Sequence, residues 1–277
     1  MDLLRKLGEV DSRVLYVLLV LALLIPMIKP LGLPLNVGAA TRTSYEILNR
    51  LLPGDTVVFD FGYYVDGAPD VEPQAVALFD HLLGKGVKII CVSLKSHGPI
   101  IVDRLVAPFE AAGKTYGVDF ANMGYVAGGE TALAAYSADL KKTFPKDWRG
   151  NDTSTLPILE GITSVADVDL YVFYTDDSAE VWVRQVSQYK VPIIAGLITV
   201  TAPQAEPFLQ SGQLAGILVG LRGAAEYELL MKKPGSAAAG MDAQSMGHFL
   251  IVLFILLGNA SYFIRRRQGL SGKGAGQ

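Results

Sequence analysis

The chain has 277 residues, 51% hydrophobic and 18% charged, with 24 Lys and Arg against 27 Asp and Glu and a net charge of −3. The apolar share exceeds that of an ordinary soluble domain. The slightly acidic balance argues against a nucleic-acid partner, whose contact surfaces are basic, and a lone Cys91 excludes an intramolecular disulfide.

The apolar excess lies at the two ends. Val14 to Ile28 is fifteen residues without a charge, and Met246 to Ile264 is nineteen without an acidic or basic side chain other than His248. A bilayer core takes about 20 helical residues, so both are read as transmembrane helices. The first ends in "PMIKPLGLPL" rather than a small-residue cleavage site, which favours an uncleaved anchor over a signal peptide. Arg5, Lys6 and Arg13 precede the first span, and Arg265, Arg266, Arg267 and Lys273 follow the second. Basic flanks collect on the cytoplasmic side, so both termini are expected inside and the middle extracytoplasmic. Residues 29–245 carry 17 basic and 24 acidic side chains, net −7, which agrees with that placement; Lys232 and Lys233 dissent from it.

The resulting domains are 1–35 (tail and first span), 36–233 (α/β domain), 234–245 (linker) and 246–277 (second span and basic tail). In the middle, strands are predicted at 56–62, 87–94, 168–175, 191–199 and 214–220. Helices are predicted at 72–84, 99–112, 130–142 and 177–189, the last capped by Asp177 or Ser178. The strands are continuous apolar runs, which implies burial on both faces. Alternation with helices implies a doubly wound, mostly parallel Rossmann-like α/β sheet. Residues 144–164 read as a loop, a lid or a contact surface. Gly212, Gly216 and Gly220 mark either ordinary turns or a close approach to another element or subunit.

Three runs, "LPGDTVVFDFG", "HLLGKGVKIICVSL" and "VPIIAGLITVTAPQAEPFLQSGQLAGILVGLRGAAEYE", resemble a family of uncharacterised prokaryotic membrane-anchored α/β proteins. The resemblance covers nearly the whole domain and the first span. It implies this architecture and carries over no functional residue.

Ligands of open parallel sheets bind beyond the carboxyl ends of the strands. That rule gathers Asp60 with Asp66, Asp70 and Glu72, then Ser93, Lys95, Ser96 and His97, then Asp176 and Asp177, then Thr199 and Thr201. Asp60, Asp66, Asp176, Asp177 and Thr199 are the expected ligand-binding set. "SLKSHGP" would supply a Ser–Lys or Ser–His–Asp hydrolase, with Ser93 or Ser96 as nucleophile and Lys95 or His97 as base. No G-x-S-x-G elbow accompanies it, and polar residues there also cap helices. Asp60, Asp176 and Asp177 could hold a hard cation, but the last two fit an N-cap cluster better. His81, His97 and His248 are too few and too scattered for zinc, and "GYVAGGETA" matches no nucleotide-binding loop. No metal and no cofactor are expected. The leading expectation is a non-catalytic domain for oligomeric assembly or ligand and partner binding. Its partners would be the lipid bilayer and a second copy or another membrane protein, and a membrane-bound serine hydrolase is the alternative.

Overall fold

The computed structural model describes residues 11–267; Arg5, Lys6 and Lys273 of the charge argument lie outside them. Two compact units emerge: residues 35–237, and residues 11–34 together with 238–267. The chain opens with α1 (Ser12–Ile28), whose first turn is capped by Asp11 accepting from the Arg13 N–H at 2.9 Å. This helix has 17 residues. At 1.5 Å per residue it spans about 26 Å, against a bilayer core of about 30 Å.

The larger unit then runs α2 (Ala39–Arg50), β1 (Thr56–Gly62), α3 (Ala68–Lys85), β2 (Lys88–Ser93), α4 (Gly98–Ala111), β3 (Phe120–Tyr125), α5 (Glu130–Ala138) and α6 (Leu140–Thr143). It continues through β4 (Leu170–Thr175), α7 (Glu180–Val186), β5 (Ile193–Leu197), α8 (Ala202–Gln210), β6 (Gly216–Val219) and α9 (Gly220–Leu230). The six strands form one parallel sheet in the order β3-β2-β1-β4-β5-β6. The chain winds outward from β1 to β3, then returns to lay β4 on the other side of β1. The gap between the ends of β1 and β4 is therefore the topological switch point.

Alternate residues of each strand enter different cores, which is why the strands read as unbroken apolar runs. Val58, Ile90, Tyr171 and Phe173 pack with Leu133 and Tyr136 of α5 and Trp182 and Val183 of α7. Phe59, Phe61, Cys91 and Tyr174 pack with Leu78, Phe79 and Leu82 of α3 and Val102 and Val106 of α4. Burial pushes the Cys91 thiol well up, so it is an inert core atom.

Several expectations are corrected. The edge strand β3, with the weak strand formers Asn122 and Gly124, was not anticipated. The predicted helix 130–142 breaks at Asp139, which caps α6 through the Lys142 N–H. Helix α7 starts at Glu180, later than an Asp177 or Ser178 cap requires. Residues 144–164 form a loop anchored by its buried side chains: Ile158 and Leu159 enter the core, and the Trp148 N–H covers the β3 edge at the Asn122 carbonyl. The close approach at Gly216 is internal, since a Cβ there would lie 2.4 Å from Ser44 Oγ of α2.

The chain closes with α10 (Ser236–Arg267). Residues 236–263 form the one described helix long and apolar enough to cross a membrane, whereas α1 is shorter, so the expectation of two such helices is corrected to one. Within this unit Asp242 accepts from the N–H groups of Leu31, Gly32 and Leu33 at 2.6, 2.9 and 3.1 Å.

Candidate functional site

At the switch point a crevice of about 480 Å³ opens, walled by the loops that leave β1, β2, β4 and β5. Tyr64, Asp66 and Asp70 come from the first loop and the start of α3, Lys95 from the second, Asp176 and Asp177 from the third, with Ile198 and Val200 as the apolar side. Asp176 Oδ2 accepts from the Tyr64 N–H at 2.6 Å and so fastens β4 to the loop after β1. Gly67 permits that approach, because a Cβ there would stand 2.8 Å from the Asp176 Cβ. Across the crevice Asp70 Oδ2 accepts from Thr199 N–H at 2.9 Å and Thr199 Oγ1 at 3.1 Å. Buried Gln74 donates to the carbonyls of Leu197 and Gly220, fixing α3 to the end of β5.

Four carboxylates thus face one ammonium. Lys95 Nζ lies 3.9 Å from the centroid of the Tyr64 ring, a cation–π contact that holds it at the crevice. Asp177 Oδ1 caps the Ser178 N–H at 2.7 Å. Asp66 is exposed and has no hydrogen-bond partner among the described residues. Of the expected ligand-binding set, Asp66, Asp176 and Asp177 line one crevice, Thr199 adjoins it through Asp70, and Asp60 is elsewhere.

Asp60 is fully buried on the α5 and α7 side of the sheet. Its Oδ2 accepts from Tyr136 Oη, from Tyr171 Oη at 2.9 Å and from Trp182 Nε1 at 2.5 Å, while Oδ1 has no partner. Burial raises its pKa to about 6 against those three donors. Asp60 is a core carboxylate apart from Asp176 and Asp177, and no group of three or more His, Cys, Asp or Glu side chains placed to hold a metal ion occurs among the described residues.

The hydrolase constellation is not assembled. Ser93 is 1% exposed and donates to the carbonyls of Phe61 (2.7 Å) and Lys95 (2.8 Å) while accepting from the Lys95 N–H. A Cβ on Gly98 would sit 2.0 Å from Ser93 Oγ, so the Gly98 backbone packs directly against that oxygen. His97 Nε2 bonds the Tyr63 carbonyl at 2.9 Å, and Ser96 is exposed without either base beside it in a hydrogen bond. A sequence reading missed Tyr64, Gln74, Tyr136, Tyr171 and Trp182. Their only advance signal was a polar tip in an apolar run.

No family model matches the chain, and no curated protein matches it. Among solved structures it is similar to the C-terminal domain of a glycosyl transferase group 1 family protein (LpcC) from Francisella tularensis. That likeness has 12% identity and a TM-score of 0.35, and covers 79% of this chain and 94% of that one. It is also similar to AibC at 12% identity and a TM-score of 0.31, covering 86% of this chain and 55% of that one. Likenesses this distant carry no substrate or residue role across. The expectation of a non-catalytic domain for oligomeric assembly or ligand and partner binding is withdrawn, as these comparisons give it no support. The coarse result is a parallel α/β Rossmann-like fold with one long apolar helix among the described residues, in a chain that no family model matches.

Proposed function

We propose that the switch-point crevice is the active site of an enzyme acting on a small, neutral, hydroxyl-rich ligand. The observation that carries this reading is the convergence of loops from four strands on one cavity, with Asp66 uncommitted inside it. Four carboxylates against one ammonium disfavour an anionic ligand and suit hydroxyl donors. Asp66 is the group available to accept a hydroxyl proton as general base. Lys95, held over Tyr64, would stabilise negative charge developing on oxygen. Asp176 is a positioning residue through the Tyr64 N–H.

The test uses the purified full chain and a panel of neutral glycosides and polyols. A binding member raises Tm in wild type and in Asp66→Asn alike, while the variant loses about 10²-fold or more in turnover. A panel without any Tm rise, or undiminished turnover in Asp66→Asn, would refute the reading.

For localisation, the proposal is a bilayer anchor at α10, with the basic residues that follow it cytoplasmic and the domain outside. The basic flanks support this orientation. Protease added to intact cells should cut the domain; cutting only after lysis reverses it.

A further inference from the structure

On the far side of the Tyr64–Gly67 loop lies a second cavity, about 510 Å³, whose walls are Val65, Pro69 and Val76 on one flank and Ile100 and Ile101 on the other. Val65 is 70% exposed, Ile100 64% and Val76 38%, an unusual concentration of solvent-facing aliphatic side chains at one spot. Its charged members, Glu72 and Arg104, are paired with each other. A third cavity of about 660 Å³ shares Glu72, Val76 and Arg104 with it and extends past Leu105 and Phe109 to Glu228 and the Asp80–Lys233 ion pair. Together they form a groove along α3 and α4, aliphatic where it adjoins the crevice and bounded by paired charges at its far end. From Ala68 to Asp80 the α3 flank rises about 18 Å at 1.5 Å per residue.

The groove and the acidic crevice are separated by a thin partition. Tyr64 lines the crevice, His97 lines the groove, and their rings stack at 5.5 Å. Val65, next in the chain after Tyr64, belongs to the groove. A polar cavity adjoining a long apolar one across a single ring layer matches an amphiphile. The chain also carries a helix long and apolar enough to enter a bilayer, where such molecules reside. Resting on the reading of the crevice given above, we infer that the ligand is a lipid with a neutral hydroxylated headgroup. The headgroup occupies the crevice and one hydrocarbon tail lies in the groove. Paired wall charges and exposed aliphatic side chains make the groove suited to a tail and unsuited to a second polar group.

Full-length protein in amphipol, free of competing detergent, is photolabelled with dodecyl β-glucoside carrying a diazirine at the tail end. A diazirine glucoside without the tail serves as the headgroup probe. The tailed probe should label residues 72–76 and 98–109, none of which lines the crevice, and the short probe only the crevice loops, residues 64–70 among them. Ile100→Glu and Val76→Glu each charge the groove at a solvent-exposed position. They should lower tailed-probe labelling about tenfold, the effect of 1.4 kcal/mol in binding, and leave the short probe unchanged. If the short probe labels the crevice but the tail adds no groove labelling, or both variants label like wild type, the lipid inference fails and the crevice reading stands. If neither probe labels the crevice or the groove, both fall together.

Discussion

Asp60→Asn isolates the cost of a buried charge in the centre of the sheet. The wild-type carboxyl titrates at 3.8 when unfolded and at about 6 when folded, because burial outweighs its three donors. A folded pKa above the unfolded one means the folded state holds the proton more tightly. Stability from this group is therefore fully present below about pH 4 and lost as pH rises through about 6. Each pKa unit is about 1.4 kcal/mol, so the loss is ~3 kcal/mol. Asparagine accepts the same donors through Oδ1 but does not ionise. The expected result is that the variant gains on wild type by ~3 kcal/mol between about pH 4 and pH 7. In a domain of this size that is about 6–12 °C in Tm. The assay is thermal unfolding of full-length protein in detergent, followed by near-ultraviolet dichroism, since Trp182 stacks on Phe173 at 5.1 Å. Comparison at pH 4 fixes any offset caused by the amide itself, and other titrating groups are common to both proteins. Parallel curves across the window would refute the argument, because they would mean that Asp60 ionises as readily in the core as in the unfolded chain.

Glu226 accepts from Gly38 N–H, Thr41 Oγ1 and Arg222 Nε at 3.0, 2.7 and 2.8 Å. Glu226→Ala strands buried donors and should lower stability by about 3 kcal/mol, measured as a fall in urea midpoint at unchanged slope; an unchanged midpoint contradicts it. Gly67→Ala drives a Cβ against Asp176 and should cost about 1–3 kcal/mol, read as a Tm drop, while Gly84→Ala, inside α3 with open space around it, should leave Tm unchanged or raise it. Ser93→Ala removes a bond to the Phe61 carbonyl and should cost about 1 kcal/mol. Neither it nor wild type should take up a fluorophosphonate probe, and labelling that vanishes with Ser93 would restore the hydrolase.

The elements were legible where burial writes directly into composition. Strand 56–62 was read with its observed ends, and β2, β4, β5 and β6 within a few residues, because a strand covered on both faces must be apolar throughout. The edge strand β3 escaped for the same reason inverted: Asn122 and Gly124 serve a covered edge rather than a central core. Helices α2, α8 and α9 were not read either, having short or polar-dominated patterns.

Local composition and strand–helix alternation were enough to yield the apolar C-terminal helix, the parallel α/β class and the rule that functional groups gather at the carboxyl ends of strands. Which of those groups meet was decided by tertiary structure alone. The donors that bury Asp60 come from 76, 111 and 122 residues along the chain, and the Asp176–Tyr64 bond closes a separation of 112. No local pattern encodes such distances. Strand order sets them: laying β4 beside β1 drew Asp66, Lys95, Asp176 and Asp177 into one crevice and left Ser93 sealed beneath Gly98.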